Sequence, residues 1–331
     1  RKLIASTPST QGKSFAAVHF GNSGAEANES AFKYARLYAH ETRGPGHHRV
    51  LSFSSGFHGR TMGSLSLTPN PNYRTKFEPL IPDVEVAPYN DPDTLRKTVD
   101  ETFAGVIVEV VQGEGGLTNM TRDFAKALNE VCDKYDVMLI ADEVQTGLGR
   151  TGFLYGSETV GLEPDIVSLS KPLAGGLPLS ATLIPAKLND VLHVGDHGST
   201  FGGGPVTTAV ARRVWDIVSD LEFLTTVRIA AEHLEAGLNR LLERFDFLTE
   251  LRGKGLLRGL EVAIPEERTK EIMGRILTVA RENGLLILKS GGNVIRIAPP
   301  LIITPDEIDR GLSLLEVALS HIEEEYKGVL S

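Results

Sequence analysis

The feature that most restricts the fold of this 331-residue chain is the alternation of short apolar runs with helical periods over its first two thirds. Such alternation is typical of βαβ units built around a mainly parallel sheet. The run Ala104–Val111 is almost wholly apolar, as expected for a strand that is covered on both faces. The sequence therefore predicts an α/β fold in which helices flank a mainly parallel sheet.

The predicted elements fall into two groups along the chain. In the first group, helices are predicted at Ala25–Tyr38 and Phe124–Tyr135, and the further strands at Ala16–Gly21, Arg49–Phe53, Val84–Ala87, Val137–Ala141, Ile166–Leu169 and Ser180–Ile184. From about Leu221 helices and strands mix, with helices at Val227–Phe245 and Pro305–Tyr326 and strands near Phe247–Leu251, Leu256–Val262 and Val294–Ile297. We expect a large domain at 1–220 and a smaller C-terminal α+β domain at 221–331.

Composition narrows the class of protein. The net charge of −9 argues against a nucleic-acid partner, and no apolar run is long enough to cross a bilayer. The single Cys132 excludes an internal disulfide and suits a reducing compartment, so we expect a cytoplasmic protein. Neither an H-E-x-x-H motif nor paired C-x-x-C motifs occur, so no metal site is predicted. Arg1–Ile4 resembles the end of a helix, which predicts that an N-terminal segment is missing.

Asp142 and Lys171 are the most informative polar residues, because each follows a short apolar run that is predicted to be a buried strand. Taken singly, the aspartate fits a turn or helix cap and the lysine a solvated strand end. Taken together, they predict two functional groups at the edge of an open α/β sheet where ligands bind. A lysine there can form a Schiff base with an aldehyde cofactor, and a carboxylate can keep a pyridine nitrogen protonated. The pair therefore predicts pyridoxal phosphate chemistry.

Two glycine-rich segments are candidates for binding the phosphate of such a cofactor. In Gly21–Glu29 a turn joins a predicted strand to a helix, so that Ser23, Gly24 and Ala25 can offer donors to an anion at the helix N-terminus. A tight turn without a ligand is the alternative. The second segment, Gly195–Pro205, carries the hydroxyl groups of Ser199 and Thr200, and its alternative is a flexible surface loop.

Further candidates lie in the loop Ser55–Thr61. Phe57 can stack on an aromatic cofactor, and Arg60 can hold a carboxylate through its two-pronged guanidinium. A solvated loop arginine is the alternative for Arg60. His58 fits either acid–base chemistry or a hydrogen-bonded structural role.

Three charged residues complete the set of candidate site residues. Glu109 lies within an otherwise apolar predicted strand, so its carboxylate needs a partner and fits either a structural or a functional role. Glu114 lies in a glycine-bounded loop, where it can contact substrate or an arginine. Arg296 in R-I-A-P-P-L is either structural or a cation that suits a dicarboxylate substrate or pairs with Glu114.

The ordered motifs resemble those of class III aminotransferases, and most of all the acetylornithine and ornithine aminotransferases. The resemblance covers essentially the whole chain and is carried by N-S-G-A-E-A-N-E, F-H-G-R-T, E-V-V-Q-G-E-G-G, D-E-V-Q-T-G-L-G-R-T-G, S-K-P-L-A-G-G, G-S-T-F-G-G and R-I-A-P-P-L. It implies a fold-type I transferase that uses pyridoxal 5′-phosphate and acts as a homodimer with shared active sites.

The resemblance also implies a role for each cofactor-contacting residue. Lys171 would bind the cofactor covalently and then move the proton, while Asp142 would pair with the pyridine nitrogen. Gln145 would reach the ring hydroxyl, and Phe57 and Val144 would sandwich the ring. The phosphate would be bound by Gly24 and Ala25 and by Thr200 of the partner subunit.

For the substrates, the resemblance implies that Arg60 takes the α-carboxylate of an ornithine-type donor. Glu114 and Arg296 would form a switchable pair that frees Arg296 to bind glutamate or 2-oxoglutarate. The expected reaction transfers the amine of N-acetylornithine to 2-oxoglutarate and gives a semialdehyde and glutamate. Ornithine, succinylornithine and 4-aminobutyrate remain alternative donors. An aminomutase, a catalytically silent dimeric relative and a nucleotide-dependent dehydrogenase are more distant alternatives.

Overall fold

The computed structural model describes residues 1–6 and 13–330, and these divide into two compact units. The first unit comprises the described residues of 1–110 together with Met120–Leu148 and Phe153–Asp220. The second comprises Val111–Asn119, Gly149–Gly152 and the described chain from Leu221 onward. Two short segments that precede Leu221 therefore belong to the second unit.

A seven-stranded sheet forms the centre of the first unit. Its strands, in spatial order, are β1 (Phe15–Gly21), β9 (Ser180–Pro185), β8 (Ile166–Leu169), β7 (Met138–Asp142), β4 (Phe103–Val108), β2 (Arg49–Phe53) and β3 (Val84–Ala87). Strand β9 is antiparallel to both of its neighbours, while the pairs from β8 to β3 are all parallel. The predicted α/β class with a mainly parallel sheet is confirmed.

The helices of the first unit range from four to 20 residues, and the longer ones bury part of their surface. They are α1 (Gly24–Arg43), α2 (Met62–Ser66), α3 (Pro71–Arg74), α4 (Pro92–Thr98), α5 (Arg122–Tyr135), α6 (Ala186–Asn189) and α7 (Pro205–Val218). Helix α1 begins where the Ser23 hydroxyl accepts a hydrogen bond from the Glu26 N–H, and α5 begins similarly at Thr121. These caps fix the points at which the chain leaves the carboxyl edge of the sheet.

Strand β4 ends earlier than its apolar sequence predicts. The prediction of a strand to Val111 is wrong at its end, because β4 stops at Val108 and Glu109 lies just beyond it. The Glu109 carboxylate accepts a hydrogen bond from the Phe57 N–H at 2.9 Å. Val111–Gln112 (β5) instead pairs with Thr118–Asn119 (β6) in the second unit.

The second unit is a four-stranded antiparallel sheet packed against three long helices. The strand order is β10 (Leu248–Lys254), β11 (Leu257–Val262), β13 (Val294–Ile297) and β12 (Leu288–Ser290), and the helices are α8 (Leu221–Arg244), α9 (Thr269–Glu282) and α10 (Pro305–Glu325). Its core is aliphatic, with Leu238, Ile276 and Leu319 fully or almost fully buried. This is the α+β arrangement that the sequence predicts. Among the described helices, none has the length and apolar character needed to traverse a bilayer.

Candidate active site

Asp142 and Lys171 lie at the carboxyl ends of neighbouring parallel strands. Asp142 is the last residue of β7, and in the ladder with β8 it is opposite Ser168. Lys171 follows the end of β8 at Leu169 by two residues. The same edge of the sheet therefore carries both groups, as the two apolar runs predict.

The Asp142 carboxylate is held in place by three donors. Its Oδ2 accepts from His58 Nδ1 at 2.8 Å and from Asn28 Nδ2 at 2.7 Å, and its Oδ1 accepts from the Val144 N–H at 3.1 Å. The residue is only 5% exposed, so these bonds replace the water that a buried carboxylate loses. Oδ1 keeps capacity for one more hydrogen bond.

His58 proves to be the main charged partner of Asp142. Its side chain is buried, which acts to lower its pKa, but the hydrogen bond and charge of Asp142, with the charge of Glu109, raise the pKa overall. The imidazole is therefore held in its protonated form to a higher pH than a solvated histidine. Of the two roles that the sequence leaves open for His58, a hydrogen-bonded positioning role fits this geometry.

Asn28 is a hydrogen-bond partner of Asp142 that the sequence does not predict as a site residue. Ser168 Oγ donates to Asn28 Oδ1 at 2.6 Å, so the amide must direct its Nδ2 at Asp142. A signal was present, since asparagine is a poor helix former and yet Asn28 lies on the buried face of α1. A buried asparagine within a helix predicts a specific hydrogen-bond partner.

Lys171 has an unusual backbone conformation. Its φ of 41° lies in the left-handed region, which non-glycine residues rarely adopt. Pro172 follows it directly, and a short turn, Lys171–Ala174, ends at Gly175 with φ of 59°. Strained residues of this kind cluster at functional sites because the surrounding structure holds them there. The lysine side chain is on the exposed side of this turn.

The predicted phosphate-binding turn packs directly against the end of β7. A Cβ atom on Gly24 would lie 2.7 Å from a methyl group of Val144, so only glycine fits this position. Gly24 and Ala25 are the first residues of α1, whose leading N–H groups have no acceptor within the helix. The Ser23 hydroxyl is already engaged as the cap of this helix.

The second glycine-rich segment meets the first one. Asn22 Nδ2 donates to Ser199 Oγ at 3.1 Å, which places Ser199 beside the turn that precedes α1. The Thr200 side chain is exposed. Both predicted phosphate-binding segments thus lie at the N-terminus of α1, and Thr200 faces solvent.

The loop that follows β2 is fixed by Glu109. In addition to its bond from the Phe57 N–H, the Glu109 residue accepts a hydrogen bond from the Tyr89 hydroxyl at its carbonyl oxygen, at 2.8 Å. The sequence predicts that the buried Glu109 carboxylate needs a partner, and the Phe57 N–H is one such partner. Gln145 lies half-buried just after the end of β7.

Glu114 and Arg296 lie in the second unit and form an ion pair. Arg296 Nη1 is 2.9 Å from Glu114 Oε1 and 3.2 Å from the Gly113 carbonyl oxygen. Arg150 belongs to the same unit and donates to the Pro299 carbonyl oxygen at 2.5 Å. Burial and the charge of Arg296 lower the pKa of Arg150 to about 10. The Glu114 carboxylate thus pairs with Arg296, and the positive charge of Arg296 in turn acts on Arg150.

The raised pKa of His58 predicts a pH-dependent stability. A group whose pKa is higher in the folded state stabilises the fold fully below its unfolded pKa, ordinarily 6.5, and loses that contribution as pH rises through the folded value. The His58→Asn variant can still donate to Asp142 but carries no charge, so its stability is expected to depend less on pH. Urea unfolding from about pH 6 to 9 measures this.

A matched control for His58→Asn is His321→Asn, because His321 is exposed and pairs with Glu325 on the helix surface. We expect the control to keep the wild-type pH dependence. Equal pH slopes for wild type and His58→Asn would contradict the charged pairing of His58 with Asp142.

Comparison with known proteins adds independent information. The family model described as Aminotransferase class-III matches residues 1–319. The acetylornithine aminotransferase of Vibrio parahaemolyticus is 43% identical over 306 residues, which cover 92% of this chain and 74% of that protein. The succinylornithine transaminase of Salmonella newport is 41% identical over 309 residues, with coverages of 92% and 74%.

A solved structure shows the same similarity in three dimensions. The ornithine aminotransferase of Toxoplasma gondii superposes with a TM-score of 0.88 at 34% sequence identity. The match covers 94% of this chain and 74% of that one. The described fold and the sequence motifs therefore lead to the same group of proteins.

Proposed function

The chain belongs to the class-III aminotransferases, and from this premise we propose that it transfers the terminal amino group of N-acetylornithine to 2-oxoglutarate, giving a semialdehyde and glutamate. The observation that carries the proposal is the 43% identity to an acetylornithine aminotransferase over 92% of the chain. Succinylornithine is the second candidate donor, because a relative of that name is 41% identical. Both donors have a free δ-amine, a blocked α-amine and an α-carboxylate.

Pyridoxal 5′-phosphate is the cofactor of this family, so the predicted cofactor is confirmed. The residues of the first unit fit it. The buried Asp142 carboxylate has remaining hydrogen-bond capacity at Oδ1, as a pyridine N–H requires. Gly24 and Ala25 begin α1, and the leading N–H groups of a helix stabilise a phosphate. When bound, the cofactor supplies an electron sink for the carbon that carries the reacting amine.

Within this proposal each site residue has a separate role. Lys171 would hold the cofactor through its aldehyde group, and its amine would move the proton of the substrate carbon that carries the reacting amine. Asp142 keeps a proton on the ring nitrogen, and His58 and Asn28 keep the carboxylate in position for that task. Phe57 and Val144 would hold the ring from its two faces, and Gln145 would bind its hydroxyl group.

The substrate carboxylates require cations. We assign the α-carboxylate of the donor to Arg60 and a carboxylate of 2-oxoglutarate to Arg296. The ion pair of Arg296 with Glu114 supports a switch, because Glu114 can neutralise Arg296 while the singly anionic donor is bound. Glu109 acts indirectly, since it fixes the backbone of Phe57.

We also propose that the active enzyme is a homodimer in which Ser199 and Thr200 contribute to phosphate binding, with Thr200 serving the partner subunit. Large apolar side chains are exposed near this loop at Val194, Phe201 and Val206. Exposed apolar groups that follow one another along a segment are typical of a protein–protein interface. Sedimentation of the purified protein tests this, and a monomer at micromolar concentration would contradict it.

A panel of amino donors assayed with 2-oxoglutarate tests the proposed reaction. We expect kcat/KM for N-acetylornithine to exceed that for ornithine and 4-aminobutyrate by about tenfold or more, since a pocket that binds the acetamide leaves its polar groups unpaired with the smaller donors. Succinylornithine is the comparison that separates the two named candidates. A protein that remains colourless with added cofactor and transfers no amine would instead support the silent alternative.

A further inference from the structure

Arg60 is held by aromatic rings rather than by a carboxylate. Its guanidinium carbon lies 3.9 Å from the centroid of the Tyr73 ring and 5.6 Å from that of Phe57. The two rings meet edge to face, with centroids 5.7 Å apart and an interplanar angle of 81°. Throughout residues 1–6 and 13–330, no acidic side chain forms an ion pair with Arg60. The two rings therefore fix the position of the Arg60 guanidinium, and no described carboxylate neutralises its charge.

This arrangement leaves the donor groups of Arg60 available. A guanidinium over an aromatic face is attracted by the electrons of the ring while its N–H groups project from its edge, where they can bind a carboxylate through two hydrogen bonds. An arginine that already had an ion-pair partner would have to break that pair first. A stacked arginine therefore loses less free energy on binding an anion.

Tyr73 is itself held by a local turn. It lies in α3, where Asn70 caps the helix by accepting hydrogen bonds from the Asn72 N–H at 3.0 Å and, at its carbonyl oxygen, from the Tyr73 N–H at 3.1 Å. The side chain is half-buried, and no described residue is hydrogen-bonded to its hydroxyl group. The structural contribution of Tyr73 therefore comes from its ring.

We propose that Tyr73 is a positioning residue for donor recognition, which fixes Arg60 so that it receives the α-carboxylate of the donor. The inference rests on the proposed function, which assigns that carboxylate to Arg60.

Calorimetric binding of N-acetylnorvaline to the holoenzyme tests the proposal without any reaction, because this compound keeps the carboxylate and acetamide but has no free amine. We expect Tyr73→Leu to weaken its binding about fivefold, which is the effect of removing one partly exposed cation–π contact. Tyr73→Phe keeps the ring and is expected to bind within about twofold of wild type. Tyr135→Leu is the matched control, since Tyr135 is also half-buried and has the Lys134 amine 4.5 Å from its ring centroid, but lies in α5 before the start of β7.

Single-turnover reaction with two donors supplies the second readout. Tyr73→Leu is expected to raise the half-saturating concentration of N-acetylornithine about fivefold with an unchanged limiting rate. Its effect on N-acetylputrescine, which lacks the carboxylate, is expected to be absent. A general structural defect would instead impair both donors, and far-UV circular dichroism with a thermal melt verifies that each variant is folded.

The outcomes separate the two proposals. Wild-type binding of N-acetylnorvaline by Tyr73→Leu, or an equal loss in Tyr73→Phe, would overturn the role of Tyr73. If wild type binds N-acetylnorvaline but does not transfer the amine of N-acetylornithine, the proposed reaction fails while the calorimetric comparison still decides the role of Tyr73. If wild type does not bind N-acetylnorvaline, carboxylate recognition by Arg60 and the role of Tyr73 both fail.

Discussion

Replacement of Lys171 with alanine is expected to reduce kcat by about 10⁴-fold or more, because the variant loses both the covalent attachment to the cofactor and the group that moves the proton. The fold is expected to remain intact, since the lysine side chain is exposed and its turn is held by Gly175 and by the bond from Ser170 Oγ to the Leu179 carbonyl oxygen. Stopped-flow kinetics and the visible spectrum of the purified variant measure the two effects.

The matched control for this variant is Lys126→Ala. Lys126 is an exposed lysine of α5 that pairs with Glu130 on the helix surface, so its replacement is expected to leave activity within about twofold of wild type. If Lys171→Ala retained the absorbance of the lysine-bound cofactor, Lys171 would not be the residue of attachment.

Replacement of Asp142 with asparagine is expected to lower kcat by about 10³-fold, which is the usual effect of removing one preorganised electrostatic contact from a reacting centre. An amide has no charge to keep the ring nitrogen protonated. It also removes the main counter-charge of the buried His58 imidazole, and breaking a buried pair in this way costs roughly 3–5 kcal/mol of stability. Steady-state kinetics and urea unfolding of the same preparation measure both.

Asp142→Glu separates charge from position. It restores the negative charge, but its longer side chain cannot occupy the same place between His58 and Asn28, so partial recovery of kcat is expected. Asp165→Asn is the control for a buried aspartate of the same sheet, since Asp165 is 2% exposed and accepts from the Leu139 N–H. An Asp142→Asn variant with wild-type kcat would remove Asp142 from the chemistry.

The sequence predicts the positions of the two central residues because their strands are short, apolar and followed by polar groups. The apolar run 166–169 and the run before Asp142 have bounds in the structure that match or lie within one residue of those predicted. Burial on both faces leaves such strands little freedom of register. The edge at which both groups lie follows from the parallel pairing alone.

Other elements were not predictable from local pattern. Helix α7 is rich in β-branched residues and buries only Trp215 and Val218, so its helical signal is weak. The antiparallel direction of β9 depends on the path of the whole preceding segment. The apolar run that contains β4 continues into Val111, which pairs with Asn119 in a separate two-stranded sheet, and this change of partner has no local signal in the sequence.

The same limit applies to the candidate site. Asn28, His58 and Tyr73 act through contacts with residues on other elements, so their roles emerge only when the strands and loops are assembled. Arg60 was predicted as a carboxylate ligand from its residue type and loop. The ring that holds it comes from a separate short helix, which no spacing in the sequence indicates.

The hydroxyl group of Ser168 controls the orientation of the Asn28 amide. It is a donor to the amide oxygen of Asn28, and so decides which end of that amide dipole confronts the carboxylate of Asp142. If alanine replaced Ser168, the Asn28 amide could rotate by half a turn and direct its oxygen at the Asp142 carboxylate, where the two oxygens would repel each other. The direction of the hydrogen bond between Asn28 and Asp142 is thus set by one hydroxyl proton, three residues before Lys171, the proposed site of cofactor attachment.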